Sequence, residues 1–137
     1  MSVTSPAVAV RRGPLVVAGG VLGAIVVSSV ANTLIALIAH AVGAPDDFQP
    51  LKASSYVFLT AVGVVLGSAG WAVVRKAAKD PGALVRRLVP AVVVVSFVPD
   101  FLLFGDGGAT GVLALLLMHV IVAVIAVFTY RRVMPLS

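Results

Sequence analysis

The sequence predicts an all-α polytopic membrane protein, a single domain over residues 1–137 built as a four-transmembrane-helix bundle with both termini cytoplasmic. Three observations lead there. The 137 residues are 61% hydrophobic and 11% charged, with a mean hydropathy of +1.16. A soluble domain carries about 25% charged residues, so lipid has to solvate most of this surface. Four long apolar stretches follow one another along the chain. Nine of the ten Lys and Arg residues fall in three clusters: Arg11 and Arg12 before the first stretch, Arg75, Lys76, Lys79, Arg86 and Arg87 between the second and third, and Arg131 and Arg132 after the fourth. Only Lys52 lies elsewhere. Basic residues concentrate in cytoplasmic segments, which puts both termini and the middle connection on that side.

The first span covers residues 15–42. At about 1.5 Å per residue it is roughly 40 Å long, more than a ~30 Å hydrocarbon core needs, so it tilts or projects. Arg11-Arg12, the apolar run and Ala39-His40-Ala41 imitate a signal peptide with its cleavage site. A signal core is usually about 7–15 residues, and the length of this run favours an uncleaved helix. The second span, residues 54–74, carries Trp71 near one end and Tyr56 and Phe58 near the other, as interfacial aromatics do. The third, residues 84–104, opens with Asp80 as N-cap and Pro81 at the first helical position. Its first turns carry Arg86 and Arg87, and its apolar part, from residue 88 on, barely spans. The fourth, residues 110–130, ends on Tyr130, Arg131 and Arg132 as an anchor. The outer turns, residues 43–50 and 105–108, are rich in Gly, Pro and Asp.

Hydrophobicity does not drive helices together in lipid; close packing and interhelical hydrogen bonds do. Gly19 and Gly23 form one G-x-x-x-G row, Gly63 and Gly67 another, and Ala123 and Ala126 share a side of the fourth span. Such rows serve packing inside the bundle; the sharper reading is a homodimer through Gly63/Gly67 or Gly19/Gly23.

An ionisable group at membrane depth is costly and faces the bundle interior or a wet cavity. Ser28, Asn32 and His40 fall along one stripe of the first span, beside Ser29 and Thr33. Ser96 and Asp100 share a face of the third, next to Pro99, and His119 lies mid-way along the fourth. Counting inward from the outer turns at ~1.5 Å per residue puts Asp100 about 6 Å deep and Asn32 and His119 about 15 Å deep, with His40 near the surface. The expectation is a polar ligand-binding pocket of Asn32, Ser96, Asp100 and His119 in the outer half of the bundle, built by the first, third and fourth spans. Pro99 frees the carbonyl of Val95 and kinks its helix there. Each residue also has a plainer role: serines bonding their own helix, Asn32 joining helices, His119 as a hydrogen-bonded structural residue.

Several chemistries are set aside. The net charge of +5 sits at helix ends beside apolar spans, which suits an anionic leaflet and not a nucleic acid. There is no cysteine. A haem between His40 and His119 would bridge depths about 13–15 Å apart, though both ligands have to meet one iron. His40, His119 and Asp100 are too scattered for zinc. No phosphate-cradling glycine motif, H-E-x-x-H or G-x-S-x-G occurs. No metal or cofactor is expected. Three functional classes remain: small-ligand binding or transport coupled to protons through Asp100 and His119, with a small apolar or amphipathic ligand; a membrane-embedded enzyme on a lipid or isoprenoid, with the same two residues as acid or base; and a non-catalytic scaffold or partner subunit.

Ala31-Asn32, Ser96-Phe97-Val98-Pro99-Asp100 and Leu117-Met118-His119 together resemble a family of small uncharacterised bacterial four-helix integral membrane proteins, sometimes labelled cell-envelope proteins. The resemblance covers nearly the whole chain. It implies the architecture and no established activity; the charge pattern gives the expected location, the cytoplasmic (inner) membrane, multi-pass with both termini inside.

Overall fold

The structure is a computed structural model that describes residues 12–136; Arg11 of the first basic pair lies outside them. Four long helices make up almost all of it, and the described residues contain no strand: α1 (Pro14–Ala41), α2 (Ala53–Ala77), α3 (Pro81–Leu102) and α4 (Phe104–Val133). Each is long and apolar enough to cross a membrane.

The helix ends show why the chain breaks where it does. Pro14 stands in the first turn of α1, where its missing N–H is no loss. Gly43 takes φ 110°, a left-handed conformation that suits glycine, and the turn closes by Gly43 N donating to His40 O (3.3 Å) and Ala44 N to Ala39 O (2.8 Å). That pair of bonds is a Schellman stop. Asp80 caps α3, its Oδ1 accepting from Ala83 N at 3.0 Å, with Pro81 next. The Gly-rich 105–108 segment, expected as an open turn, is instead mostly helical. Leu103 alone separates α3 from α4, Gly107 N donates to Leu103 O (2.9 Å), and only Gly108 departs from helical geometry (φ 64°, ψ −174°). The reversal thereby keeps its backbone bonds internal, as a segment at a membrane boundary has to.

The helices run up, down, up and down. α1 packs along α4 and α2, α3 packs along α4 and α2, and α2 also touches α4 across the centre. α1 and α3 stand on opposite sides with no extended packing between them. One end of the bundle carries the α1–α2 loop and the α3–α4 reversal (the loop end); the other carries the α2–α3 connection and the C-terminus (the terminal end). Arg75, Lys76, Lys79, Arg86, Arg87, Arg131 and Arg132 fall at the terminal end with the capping Asp80, while Asp46, Asp47 and Asp106 fall at the loop end with Lys52.

The small residues of α1 that meet the bundle are one step along from the G-x-x-x-G row. Gly19 and Gly23 face open space, whereas a Cβ on Gly20 would come within 2.6 Å of Val133 Cγ1 on α4. The buried row continues through Ala24, Ser28, Asn32 and Ala36. Steps of four residues keep it on one face. Two apolar clusters fill the bundle. At the loop end, Phe48 is buried with Ala39, Leu51, Tyr56, Leu115 and Met118. At the terminal end, Trp71 and Tyr130 pack with their rings tilted and their centroids 5.5 Å apart among Ala24, Val64, Ala126 and Met134.

Trp71, Tyr56 and Tyr130 are therefore not lipid-interface anchors as expected; all three are buried, and only Phe58 faces outward. The reason is that protein acceptors lie within reach. Trp71 Nε1 donates to Met134 O at 2.9 Å, and Tyr130 OH donates to Val64 O. Tyr56 OH meets Thr33 Oγ1 at 2.9 Å; since the Thr33 hydroxyl already donates to Ser29 O (2.8 Å), the tyrosine is the donor. At the terminal end the lipid-facing aromatic is Phe128, capped by the Arg132 guanidinium at 4.6 Å.

Tyr130 reaches the α2 backbone because Gly67 has no side chain: a Cβ there would sit 2.8 Å from the phenol oxygen. Gly63 faces open space. Gly67→Ile should thus lower the thermal midpoint in detergent by the equivalent of about 1–3 kcal/mol, and Gly63→Ile should leave it unchanged. Equal loss in both variants would contradict this packing. Gly63 is consequently the cleaner position for asking, by cross-linking, whether the row joins two copies.

Candidate functional site

Asp100 is in the last turn of α3, directly after Pro99. Proline removes the backbone donor that would have reached Val95 O. Ser96 does not take over that carbonyl; its hydroxyl donates to Val93 O at 2.6 Å. The Asp100 side chain is 8% exposed, and its Oδ2 stands 2.8 Å from His119 Nδ1 on α4.

Helix direction explains how residues counted to different depths meet. Side chains on a helix lean towards its N-terminus. α3 runs towards the loop end, so Asp100 leans back into the bundle. α4 runs the other way, so His119 leans up towards the loop end. The extra turn at 104–107 lengthens the path between them without separating the two side chains.

His119 Nδ1 also lies 2.8 Å from Leu115 O. A carbonyl and a carboxylate are both acceptors, so Nδ1 carries the hydrogen. That N–H is aligned on Leu115 O. Asp100 Oδ2 sits at ion-pair distance but off the hydrogen-bond axis, and among the described residues it has no other donor. With Nδ1 committed, Nε2 is the ring nitrogen left for another partner. The imidazole side chain is 38% exposed and stands edge-on to Phe97, with ring centroids 6.2 Å apart. On α4 its neighbours Leu117 and Val120 are exposed, so the pair opens at the α3–α4 seam.

Asn32 lies on the α1–α2 side. Its Nδ2 donates to Thr60 Oγ1 at 3.0 Å. Its Oδ1, and the hydroxyls of Ser28 and Ser29, are buried without a protein partner. Of the four residues in the expected pocket, the structure brings Asp100 and His119 together, gives Asn32 to α2 and leaves Ser96 on its own helix. Thr60 was missed in the sequence. The signal for it was available: Tyr56, Thr60 and Val64 recur every four residues and form the buried row of α2. His40 stands in the last turn of α1, its Nδ1 3.4 Å from Ala44 O and 3.8 Å from the exposed Asp46. Among the described residues no three His, Asp or Glu side chains are grouped to hold a metal ion.

Residues 10–135 match a family of unknown function, DUF6069. The chain belongs to the DUF6069 family. The matched region takes in all four helices, the Asp100–His119 contact and the Asn32–Thr60 bond, so the whole bundle is the DUF6069 unit. No curated protein and no solved structure matches the chain.

Proposed function

We propose that this protein binds and transports a small apolar or amphipathic ligand across a bacterial cytoplasmic membrane and conducts protons through the Asp100–His119 pair. The observation that carries the reading is a buried carboxylate 2.8 Å from a part-exposed imidazole inside two apolar helices. A carboxylate and an imidazole at membrane depth are costly to keep, and a proton taken up at Nε2 would give an imidazolium at ion-pair distance from the Asp100 carboxylate. The buried, unpartnered Oδ1 of Asn32 and hydroxyls of Ser28 and Ser29 supply further acceptors for water or a polar ligand group. The basic terminal end suits the cytoplasmic side, which directs the site to the outer half of the membrane.

The test is proton flux in liposomes. With an inward pH gradient and a potassium shunt, wild-type protein should acidify the lumen faster than empty liposomes, and Asp100→Asn or His119→Gln should return the rate to background. A wild-type rate equal to that of empty liposomes removes the reading.

A second reading follows from the exposed face of His119. Its position beside Leu117 and Val120 at the seam suits an acid or base acting on a lipid or isoprenoid that enters sideways from the bilayer. A lipid of altered mass after incubation with wild-type protein, absent with His119→Gln, supports this alternative.

A further inference from the structure

We infer that a second site, at the opposite end of the bundle, holds a phosphate group between Arg86 and Arg131. The cleft there has a volume of about 340 Å³ and is lined by Gly82, Arg86, Arg131, Pro135 and Leu136. It joins the first turns of α3 to the last turn of α4 and the segment beyond it.

Three features specify the ligand chemistry. The two guanidiniums come from different helices, and among the described residues neither has a carboxylate at salt-bridge distance, since the ion pairs found there both involve a histidine. Asp80 caps α3 through Ala83 N; its Oδ1 borders the same Gly82 as Arg86 Nη1 but makes no ion pair with that guanidinium. Two guanidiniums lining one cleft suit a group with several charged oxygens, and arginine is the residue that matches phosphate best. Next, Gly82 lines the cleft, and a Cβ there would meet Arg86 Nη1 and Asp80 Oδ1 at an ordinary 3.7 Å, so a larger side chain would crowd the Arg86 guanidinium without a backbone clash. Finally, Pro135 and Leu136 form an apolar wall beside the charged one. A phosphate with a glycerol and acyl stem fits that pairing of surfaces, and the site lies at the basic end, where an anionic leaflet would meet it. Inorganic phosphate shares the charged half of this chemistry.

The experiment uses the full-length protein in nanodiscs of phosphatidylcholine with or without phosphatidylglycerol, read by native mass spectrometry for retained lipid. Wild type should hold phosphatidylglycerol. The Arg86→Gln, Arg131→Gln double variant should lose about tenfold or more of it, as removal of charge-assisted bonds predicts. Gly82→Leu should lose it with no change in charge. The charge-matched Arg75→Gln, Lys76→Gln variant should retain it. Loss in that control equal to the loss in the cleft variant reduces the effect to a general basic field and overturns the site. The source of the phosphate is read by phenylglyoxal labelling of Arg86 and Arg131. Protection by phosphatidylglycerol alone assigns a lipid headgroup. Protection by inorganic phosphate in neutral nanodiscs assigns a soluble phosphate. Protection by neither overturns the proposal.

Discussion

Gly107→Ala should destabilise this protein more than any other single-methyl change. A Cβ on Gly107 would lie 2.5 Å from Cζ of Phe48 and 2.8 Å from both Cε atoms. Gly107 has ordinary negative φ, since only Gly43 and Gly108 are positive, so alanine strains no dihedral and the effect is purely one of packing. The ring has nowhere to go. Phe48 is 3% exposed, and a Cβ on Gly111 would also come within 3.0 Å of it, so the two glycines form a slot that grips the ring. Overpacking of this kind costs about 1–3 kcal/mol and sometimes more; Gly107→Val should exceed that. Phe48→Ala alone should cost about 3–5 kcal/mol through the cavity it leaves. The double variant Gly107→Ala, Phe48→Ala should then be less damaged than the sum of the singles, because the clash vanishes with the ring. Thermal unfolding in one detergent, with monodispersity by gel filtration, measures all four states. Strict additivity would show that Phe48 does not occupy the slot.

His119→Leu should be the most damaging change at the α3–α4 seam, and adding Asp100→Leu should rescue it. The single change leaves the carboxylate buried beside an apolar side chain with no donor. Removing one partner of a fully buried charged pair costs about 3–5 kcal/mol, and less is expected here because His119 is part-exposed, whereas replacing both partners with apolar residues is often neutral or stabilising. Asp100→Leu alone should be milder, because His119 keeps Leu115 O through Nδ1 and is part-exposed. The double variant separates structure from function: it should unfold like wild type and carry no proton flux. Wild-type function in the double variant Asp100→Asn, His119→Ala would leave the scaffold reading alone standing. Additive damage in the leucine series would show that the two side chains are not coupled.

Much of the site was legible in the sequence because the relevant facts are local. Mid-span Asp100 and His119 stand out in any apolar helix, and Pro99 marks the turn where α3 loses a backbone bond. The sequence grouped the two in one pocket, but their direct contact was not legible from depth, since depth counted along the backbone ignores the lean of each side chain towards its helix N-terminus. The grouping of Asn32 with that pair depended on α1 meeting α3. The buried face of α1 instead points at α4 and α2, and the amide found Thr60. The glycines show the same limit. Gly19 and Gly20 are adjacent and chemically identical, yet a rotation of one residue puts Gly20 against Val133 and Gly19 in the open.

The amino-acid sequence alone determined the four apolar helices, their approximate ends and the segregation of basic from acidic residues, because hydropathy, helix caps and charge clusters act over a few consecutive residues. Only the tertiary structure decided which face of each helix is buried, that Trp71, Tyr56 and Tyr130 bond inward, that Phe48 is gripped by two glycines, and that Asp100 meets His119. In a chain apolar on every side of every helix, hydrophobicity cannot choose a face. Small-residue contacts and hydrogen bonds choose it, and those exist only once the helices are packed.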